Sequence, residues 1–402
     1  MVLSAVNLNI TRKINLYDKE HLPISKNIEE ESQMDLQEKR TRELMGNLSA
    51  GCSALAWVTT DGKHLWGRNF DFNRIAQGSQ VTYLPKGLPF YSKGTQIENN
   101  LDEACRLNVK YAALGMGALV LQSTPTLFEG INEAGLMGGQ LYYREFASYP
   151  DQVQEGTLPL QPAFAVTYLL TQCKSVDEVV EHLRHKVTLV NAPIFGNVPT
   201  VHWMFSDPTG EAVVIEPDKD GLHIYRNSMG VLTNSPSYPW HCQNLLNYGN
   251  IRADDMDDLE INGTHLRQCF SGSGGLGLPG DCSSPSRFIR LSLLKKFGVK
   301  GRDETEGVAY AFRLFQSVAF PLGMVKVGDT GDLTEHDSNV SEYDYTIYTA
   351  VMCAESRRFY WTTYRNPHIR YVDLGKLMEL DRPVQIPLES GIGFEDQTAA
   401  FR

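Results

Sequence analysis

The chain contains no apolar run approaching the roughly 18 to 20 residues needed to cross a bilayer, which argues against a membrane-spanning protein. It is also short of positive charge. Lys and Arg number 37 against 48 Asp and Glu, a formal charge of −11. A surface of that sign lacks the electrostatic footprint for nucleic acid or anionic membrane, so neither is an expected partner. The seven cysteines (Cys52, Cys105, Cys173, Cys242, Cys269, Cys282 and Cys353) are an odd, scattered set without a C-x-x-C pair. That excludes a disulfide framework and a zinc knuckle. At least six of them are expected to be buried small hydrophobes. Residues 1–50 lack the apolar core of about 7 to 15 residues that a secretory signal needs, so the expected location is cytoplasmic. The charged stretch from Asp18 to Glu43 reads as a solvated helix or loose leader. His182 and His185, spaced i, i+3 on an expected helix, are a weak metal signal and read better as a solvated helix face. The glycine-rich run from Ser271 to Gly280 lacks the Lys and the strand-to-helix setting of a phosphate loop.

What is present is globular: 402 residues, 42% hydrophobic and 21% charged, enough for one large domain or two ordinary ones. The texture changes at Gly51. Two apolar, β-branched and aromatic runs flank Asp61-Gly62, a strong hairpin signal. A two-residue loop would set Cys52 opposite Asp71. A three-residue loop, Thr60-Asp61-Gly62, would instead pair position 54 with Arg68 and put Arg68 on the face of Cys52. Short runs at Val201–Phe205, Ala212–Glu216, His223–Tyr225 and Gly230–Thr233 predict an antiparallel meander. A second meander is expected over Tyr343–Cys353, Arg358–Tyr364 and Ile369–Val372. Helices are expected after the capping box Ser175-Val-Asp-Glu178, from Pro285 to Lys296, and over Glu306–Ala319. Strand blocks alternating with helix pairs, without βαβ periodicity, give an α+β layered domain with mainly antiparallel sheets.

Cys52 stands directly after Gly51 at a strand start. Cut between them, the chain would expose an α-amine, with a pKa of about 7.7 to 8.0, beside the thiol. Nucleophile and base would then sit in one residue, although a core cysteine at a strand start has the same appearance. A neighbouring guanidinium would favour the thiolate, and a neighbouring carboxylate could orient the amine.

Several separated segments resemble the choloylglycine hydrolase family, which comprises bile salt hydrolases and penicillin V acylases among the N-terminal nucleophile hydrolases. They are Cys52, Gly67-Arg68-Asn69-Phe70-Asp71, Asn132-Glu-Ala-Gly-Leu136, Thr233-Asn234-Ser235-Pro236, Gly277-Leu-Pro-Gly-Asp281 with Ser284-Pro-Ser-Arg-Phe288, and Tyr343-Asp-Tyr-Thr-Ile-Tyr348. The resemblance implies a four-layer αββα sandwich over residues 52–402, preceded by a leader or propeptide over 1–51. It implies Cys52 as nucleophile, Arg68 and Asp71 beside it, and Arg287 at the base of the site. Asn234 and the Tyr142 backbone N–H would hold the oxyanion. Independently of the resemblance, the aromatics Phe70, Tyr142 and Tyr143 read as lining an apolar pocket, with core packing the alternative for Tyr143. The leader is longer than the few residues that cytoplasmic members remove. Tyr142 stands where bile salt hydrolases usually have Asn and penicillin V acylases can have Tyr.

The expected reaction is hydrolysis of a linear amide after autocatalytic cleavage at Gly51–Cys52, with no metal and no cofactor. The small-molecule substrate would join an apolar acyl group to a polar amine, as phenoxyacetyl-penicillin and glycine- or taurine-conjugated bile acids do; Tyr142 tilts the reading toward the former. A homotetramer is implied by the same resemblance. The alternatives are an internal thiol hydrolase pairing a cysteine with His202 or His241, and an inactive ligand-binding member of the family.

Overall fold

The β1–β2 hairpin closes through the three-residue loop. In the computed structural model, which describes residues 51–76, 78–327, 340–389 and 391–401, β1 (Gly51–Val58) pairs with β2 (His64–Phe72) so that Ala54 faces Arg68 and Cys52 faces Phe70. Thr59 N–H donates to Lys63 O at 3.0 Å, and Gly62 takes φ of 84°, a left-handed conformation that suits glycine. The register that would set Cys52 opposite Asp71 is not formed; Asp71 faces Gly51 instead. The leader expected over 1–51 lies outside the described residues apart from Gly51.

This hairpin sits inside a sheet ordered β10 (Val231–Leu232), β1, β2, β11 (Tyr343–Cys353), β12 (Arg358–Thr363), β13 (Arg370–Asp373), with Val325–Lys326 added along β11. A second, eight-stranded sheet runs β9 (Gly221–Tyr225), β8 (Ala212–Asp218), β7 (Val201–Ser206), β6 (Met137–Tyr142), β5 (Thr126–Asn132), β4 (Ala113–Ala118), β3 (Ser79–Leu84), β14 (Val384–Ile386). The sheets lie face to face, β1 and β2 touching β6 and β12 touching β5. Phe70 and Phe128 meet across the gap with ring centres 6.1 Å apart.

Helices close both outer faces. α1 (Ala165–Gln172) and α2 (Val176–His185) pack Val166, Leu169, Val176, Val179 and Leu183 against Leu127, Phe205 and Ile215 of the second sheet. Ser175 caps α2 as the capping box predicts, its hydroxyl accepting from Glu178 N–H at 3.3 Å. α3 (Tyr238–Leu245) follows β10. α4 (Ser284–Phe297) carries Pro285 in its first turn and stops at Gly298. α5 (Glu304–Gln316) is capped by Asp303 and ends three residues before the expected Ala319. α4 and α5 bring Phe288, Leu291, Val308 and Phe315 into the core of the first sheet. The result is the four-layer αββα sandwich.

Two expectations are corrected. The run Gly230–Thr233 does not complete a meander with β7, β8 and β9. Asn227 and Gly230, both at positive φ, turn the chain, and β10 crosses to pair with β1 in the other sheet. Four cysteines are buried, but Cys242 and Cys282 are half-buried and Cys269 is exposed, so fewer than six behave as core hydrophobes. Among the described residues, no helix is long and apolar enough to cross a membrane.

Asn132 ties α1 to the end of β5. Its Nδ2 donates to Leu170 O and Cys173 O at 2.8 and 2.6 Å, while its Oδ1 accepts from Ala134 and Leu136 N–H at 3.0 and 3.1 Å. Asn132→Ala strands these buried groups and is expected to destabilise the fold by about 2–4 kcal/mol in guanidinium unfolding, since each unsatisfied group costs roughly 1–3 kcal/mol. A loss under about 0.5 kcal/mol would sink this reading of the motif.

Candidate active site

Four chain segments converge on Cys52, which is only 1% exposed. Period-two alternation puts Arg68 on its face, and Arg68 Nη2 donates to Cys52 Sγ at 2.7 Å. Arg68 Nη1 reaches the second sheet, donating to Gln140 O at 2.6 Å and to Glu129 Oε2 at 3.1 Å. The crossing of β10 delivers Asn234 beside the same residue: its Oδ1 accepts from Cys52 N–H at 2.9 Å, and its Nδ2 donates to Tyr142 O at 2.9 Å. From α4, Arg287 donates to Cys52 O at 2.5 Å, Ser53 Oγ at 2.7 Å and Asn234 Oδ1 at 2.7 Å. Asn234 is itself clamped, its N–H donating to Ser284 Oγ and its carbonyl lying 2.9 Å from His241 Nε2.

Asp71 lies on the opposite face of β2. It sits across from Gly51 on one side and from Thr346 on the other, and the Thr346 hydroxyl donates to its Oδ1 at 2.5 Å. Its Oδ2 is buried without a hydrogen-bond partner. Asp344 shares that face, two residues along β11 from Thr346, and its Oδ1 is likewise buried and unpartnered. Gly51 leaves little room here: a Cβ would approach the Phe320 ring to 2.9 Å.

Burial dominates the electrostatics. It raises the Cys52 thiol, against the pull of Arg68 and Arg287 and with a push from Asp71. Arg68 pulls the thiol down, as expected of a neighbouring guanidinium, but in the uncut chain desolvation outweighs it. Burial pushes Asp71 up to about 6 against Arg287, Thr346 and Arg68. Burial, reinforced by Asp71, pushes Asp344 up to about 7.

Cys52, Arg68, Asn234, Arg287 and Tyr142 are thus brought into one hydrogen-bonded group, with Asp71 across the strand. Phe70 is buried opposite Cys52, stacked on Tyr348 at 5.0 Å with the Arg68 guanidinium 4.8 Å above its ring. The histidines of the alternative thiol hydrolase lie elsewhere: His202 pairs with Glu216 Oε1 and Thr233 O, and His241 bonds the Asn234 carbonyl. Among the described residues, no imidazole hydrogen-bonds Cys52 Sγ. His182 meets the Tyr168 hydroxyl and His185 faces Glu181, so they do not form a ligand pair. Asp218, Asp220 and His223 do bring possible metal-ligand atoms within 4.8 Å of one another, but none of the three hydrogen-bonds Cys52, Arg68 or Asn234.

Sequence reading missed Glu129, Tyr348, Thr346 and Asp344. A lone Glu inside the apolar run Thr126-Leu-Phe-Glu-Gly-Ile-Asn132 was the available signal for the first. The other three lie within the Tyr343–Tyr348 segment, whose pattern carried the resemblance without assigning them roles.

The raised Asp71 gives a signed prediction for the chain with its Gly51–Cys52 bond intact. An ordinary carboxyl near 3.8 held at about 6 costs the fold stability once ionised, so the penalty grows from about pH 4 to pH 6 and disappears below. In a Cys52→Ala background, Asp71→Asn is expected to gain about 1–3 kcal/mol near pH 8 and nothing near pH 3. Urea unfolding at both pH values measures it, and an equal difference at the two would count against the assignment.

Residues 52–386 match the family described as linear amide C–N hydrolases, choloylglycine hydrolase family. A bile salt hydrolase/transferase of Clostridium perfringens is 33% identical over 328 residues, 81% of this chain and 93% of that protein. Another, of Lactiplantibacillus plantarum, is 31% identical over 84% of this chain and 97% of its own length. A solved single-substitution variant of the conjugated bile acid hydrolase of Clostridium perfringens superposes with a TM-score of 0.75 at 30% identity, covering 86% of this chain and all of that one. The penicillin V acylase of Agrobacterium tumefaciens shares the fold, with a TM-score of 0.62 at 21% identity over 83% of this chain and 90% of its own. The αββα chain built around Cys52 belongs to the choloylglycine hydrolase family of linear amide C–N hydrolases.

Proposed function

We propose that the chain hydrolyses the amide of conjugated bile acids, using Cys52 as an N-terminal nucleophile freed by its own cleavage of the Gly51–Cys52 bond. The contact of Arg68 with Cys52 Sγ, in a group that also holds the Cys52 N–H and C=O, carries the assignment of the nucleophile. The bile salt hydrolases that match over most of their length support the substrate class.

In the cleavage step the Cys52 thiol adds to the Gly51 carbonyl carbon. The C–N bond breaks, the thiol proton passes to the departing amine, and water hydrolyses the resulting thioester. Asn234 Oδ1 already holds the nitrogen that becomes the α-amine, and the unpartnered Asp71 Oδ2 supplies a counter-charge on the Gly51 side. In catalysis the free amine takes the thiol proton and sulfur attacks the substrate carbonyl. Asn234 Nδ2 and the Tyr142 N–H stabilise the oxyanion, an interaction worth about 10² to 10³ in rate per donor. Tyr143 N–H donates to Thr200 O, and antiparallel alternation turns the preceding Tyr142 N–H away from β7, as this role requires. The leaving amine is protonated, and water releases the acid from the second thioester.

Tyr142 favours a second reading, phenoxyacetyl-penicillin. Further copies of the chain are the inferred partners, in the homotetramer that the family resemblance implies. Light scattering is expected to return four times the chain mass; a monomer would refute it.

Intact mass of the wild type beside Cys52→Ala is the primary test. The expected result is a wild-type chain beginning at Cys52 and an alanine variant that keeps its leader and hydrolyses no amide. A wild type that retains the leader yet is active would overturn the mechanism. Faster hydrolysis of glycocholate than of penicillin V is expected, and the reverse order would move the assignment to the second reading.

A further inference from the structure

Glu129 is the one charged side chain in β5, a strand buried along its whole length. The neighbouring strand makes room for it: Gly139 lies directly opposite, and a Cβ there would come within 2.5 Å of Glu129 Cβ. Both partners of the carboxylate come from the facing sheet. Tyr348 of β11 donates its hydroxyl at 2.8 Å to Oε1 and lies 3.1 Å from Oε2, while Arg68 of β2 donates to Oε2 at 3.1 Å. Arg68 and Glu129 are 1% and 0% exposed, so the pair is desolvated. An ion pair at this depth gives little stability over apolar residues of equal volume. Its other consequence is specific: one amino group of Arg68 is held by Glu129 while the other is on the Cys52 sulfur.

We propose that Glu129, held by Tyr348, is a positioning residue for the nucleophile: it anchors the Arg68 guanidinium on the Cys52 sulfur from the opposite sheet and offsets part of its charge, and so sets how readily the thiol ionises. This rests on Cys52 being the nucleophile. The charged and titratable groups facing Glu129 are Arg68 and Tyr348, and those facing the sulfur are Arg68, Asp71, Arg287 and Tyr348, joined by the Cys52 α-amine once the Gly51–Cys52 bond is cut. In the uncut chain burial pushes Glu129 up to about 7 and holds the thiol above its ordinary 9.0, so Glu129 is ionised where that thiol titrates. Removing its charge leaves Arg68 uncompensated, and the thiolate becomes easier to form.

The test is the pH dependence of Cys52 alkylation by iodoacetamide, resolved by peptide mass, in the purified protein, with each variant compared with wild type in the same state of processing. Glu129→Gln is expected to lower the midpoint by about one pH unit, the order expected for one buried charge removed from the far side of the guanidinium that holds the sulfur. Glu129→Asp, which keeps the charge, is expected to stay near the wild-type midpoint. A purely structural role would lower thermal stability in both and leave the midpoint alone. An unmoved or raised midpoint in folded Glu129→Gln overturns the proposal. Should that variant fail to fold, Tyr348→Phe removes only the hydroxyl that stabilises the carboxylate. Ionisation of Glu129 below the thiol's own midpoint gives the alkylation profile a second, lower inflection; Tyr348→Phe is expected to raise it by about half a unit or more, and an unmoved inflection overturns the proposal equally. The readout needs no amide substrate. Amide hydrolysis retained by Cys52→Ala would defeat the nucleophile reading by a separate route.

Discussion

The placement of one buried guanidinium organises this protein. Arg68 reaches Cys52 Sγ, Gln140 O and Glu129 in three directions, and it does so only because β1 and β2 pair in the register that faces Ala54 with Arg68. A slip of one residue would turn every side chain of β2 to the other face. Arg68 would then point toward the α4–α5 layer, and Asp71 would enter the gap between the sheets. A charge this deep cannot relax to solvent, so its acceptors must be built in, and they come from both sheets. The chemistry and the alignment of the two sheets are therefore one constraint.

A second set of contacts holds the backbone of Cys52. Cys52 N–H and C=O are engaged by Asn234 and Arg287, groups 182 and 235 residues away in the chain. Each is itself anchored, Asn234 through Ser284 and His241, and Arg287 through Cys282 O. Burial pushes His241 down to about 4, which keeps it a neutral donor to the Asn234 carbonyl over the working pH range. The peptide bond before Cys52 is thus held rigidly, with unpartnered carboxylate oxygens of Asp71 and Asp344 on one side and the Arg68-bound thiol on the other. Such a site suits chemistry that begins neutral and develops charge, because the countercharges are in place before the step.

Kinship with bile salt hydrolases rests on nearly full-length matches, whereas the penicillin V acylase relation is one of fold. Tyr142 sits at the end of β6, half-buried, with its carbonyl taken by Asn234 Nδ2. Whatever its side chain contributes to substrate choice, its backbone is committed to the site by strand pairing.

Local signals carried a good part of this structure. The capping box before α2, Pro285 and Gly298 around α4, and the turn at Asp61-Gly62 are decided within a few residues, because they depend on backbone conformations and near-neighbour hydrogen bonds. The resemblance located Cys52, Arg68, Asp71, Asn234 and Arg287 by motif. Strands β3 to β6 were not legible: Gly115, Gly117, Gly138 and Gly139 weaken their strand character, and the reason for those glycines is close approach by other strands. Only the tertiary structure chose between two hairpin registers, since each satisfied the local pattern equally. It alone sent β10 into the other sheet, brought Glu129 and Tyr348 under Arg68, and raised the Cys52 thiol. Burial and countercharge at that sulfur are supplied by residues far apart in the chain, and their sum exists only once the two sheets have closed on each other.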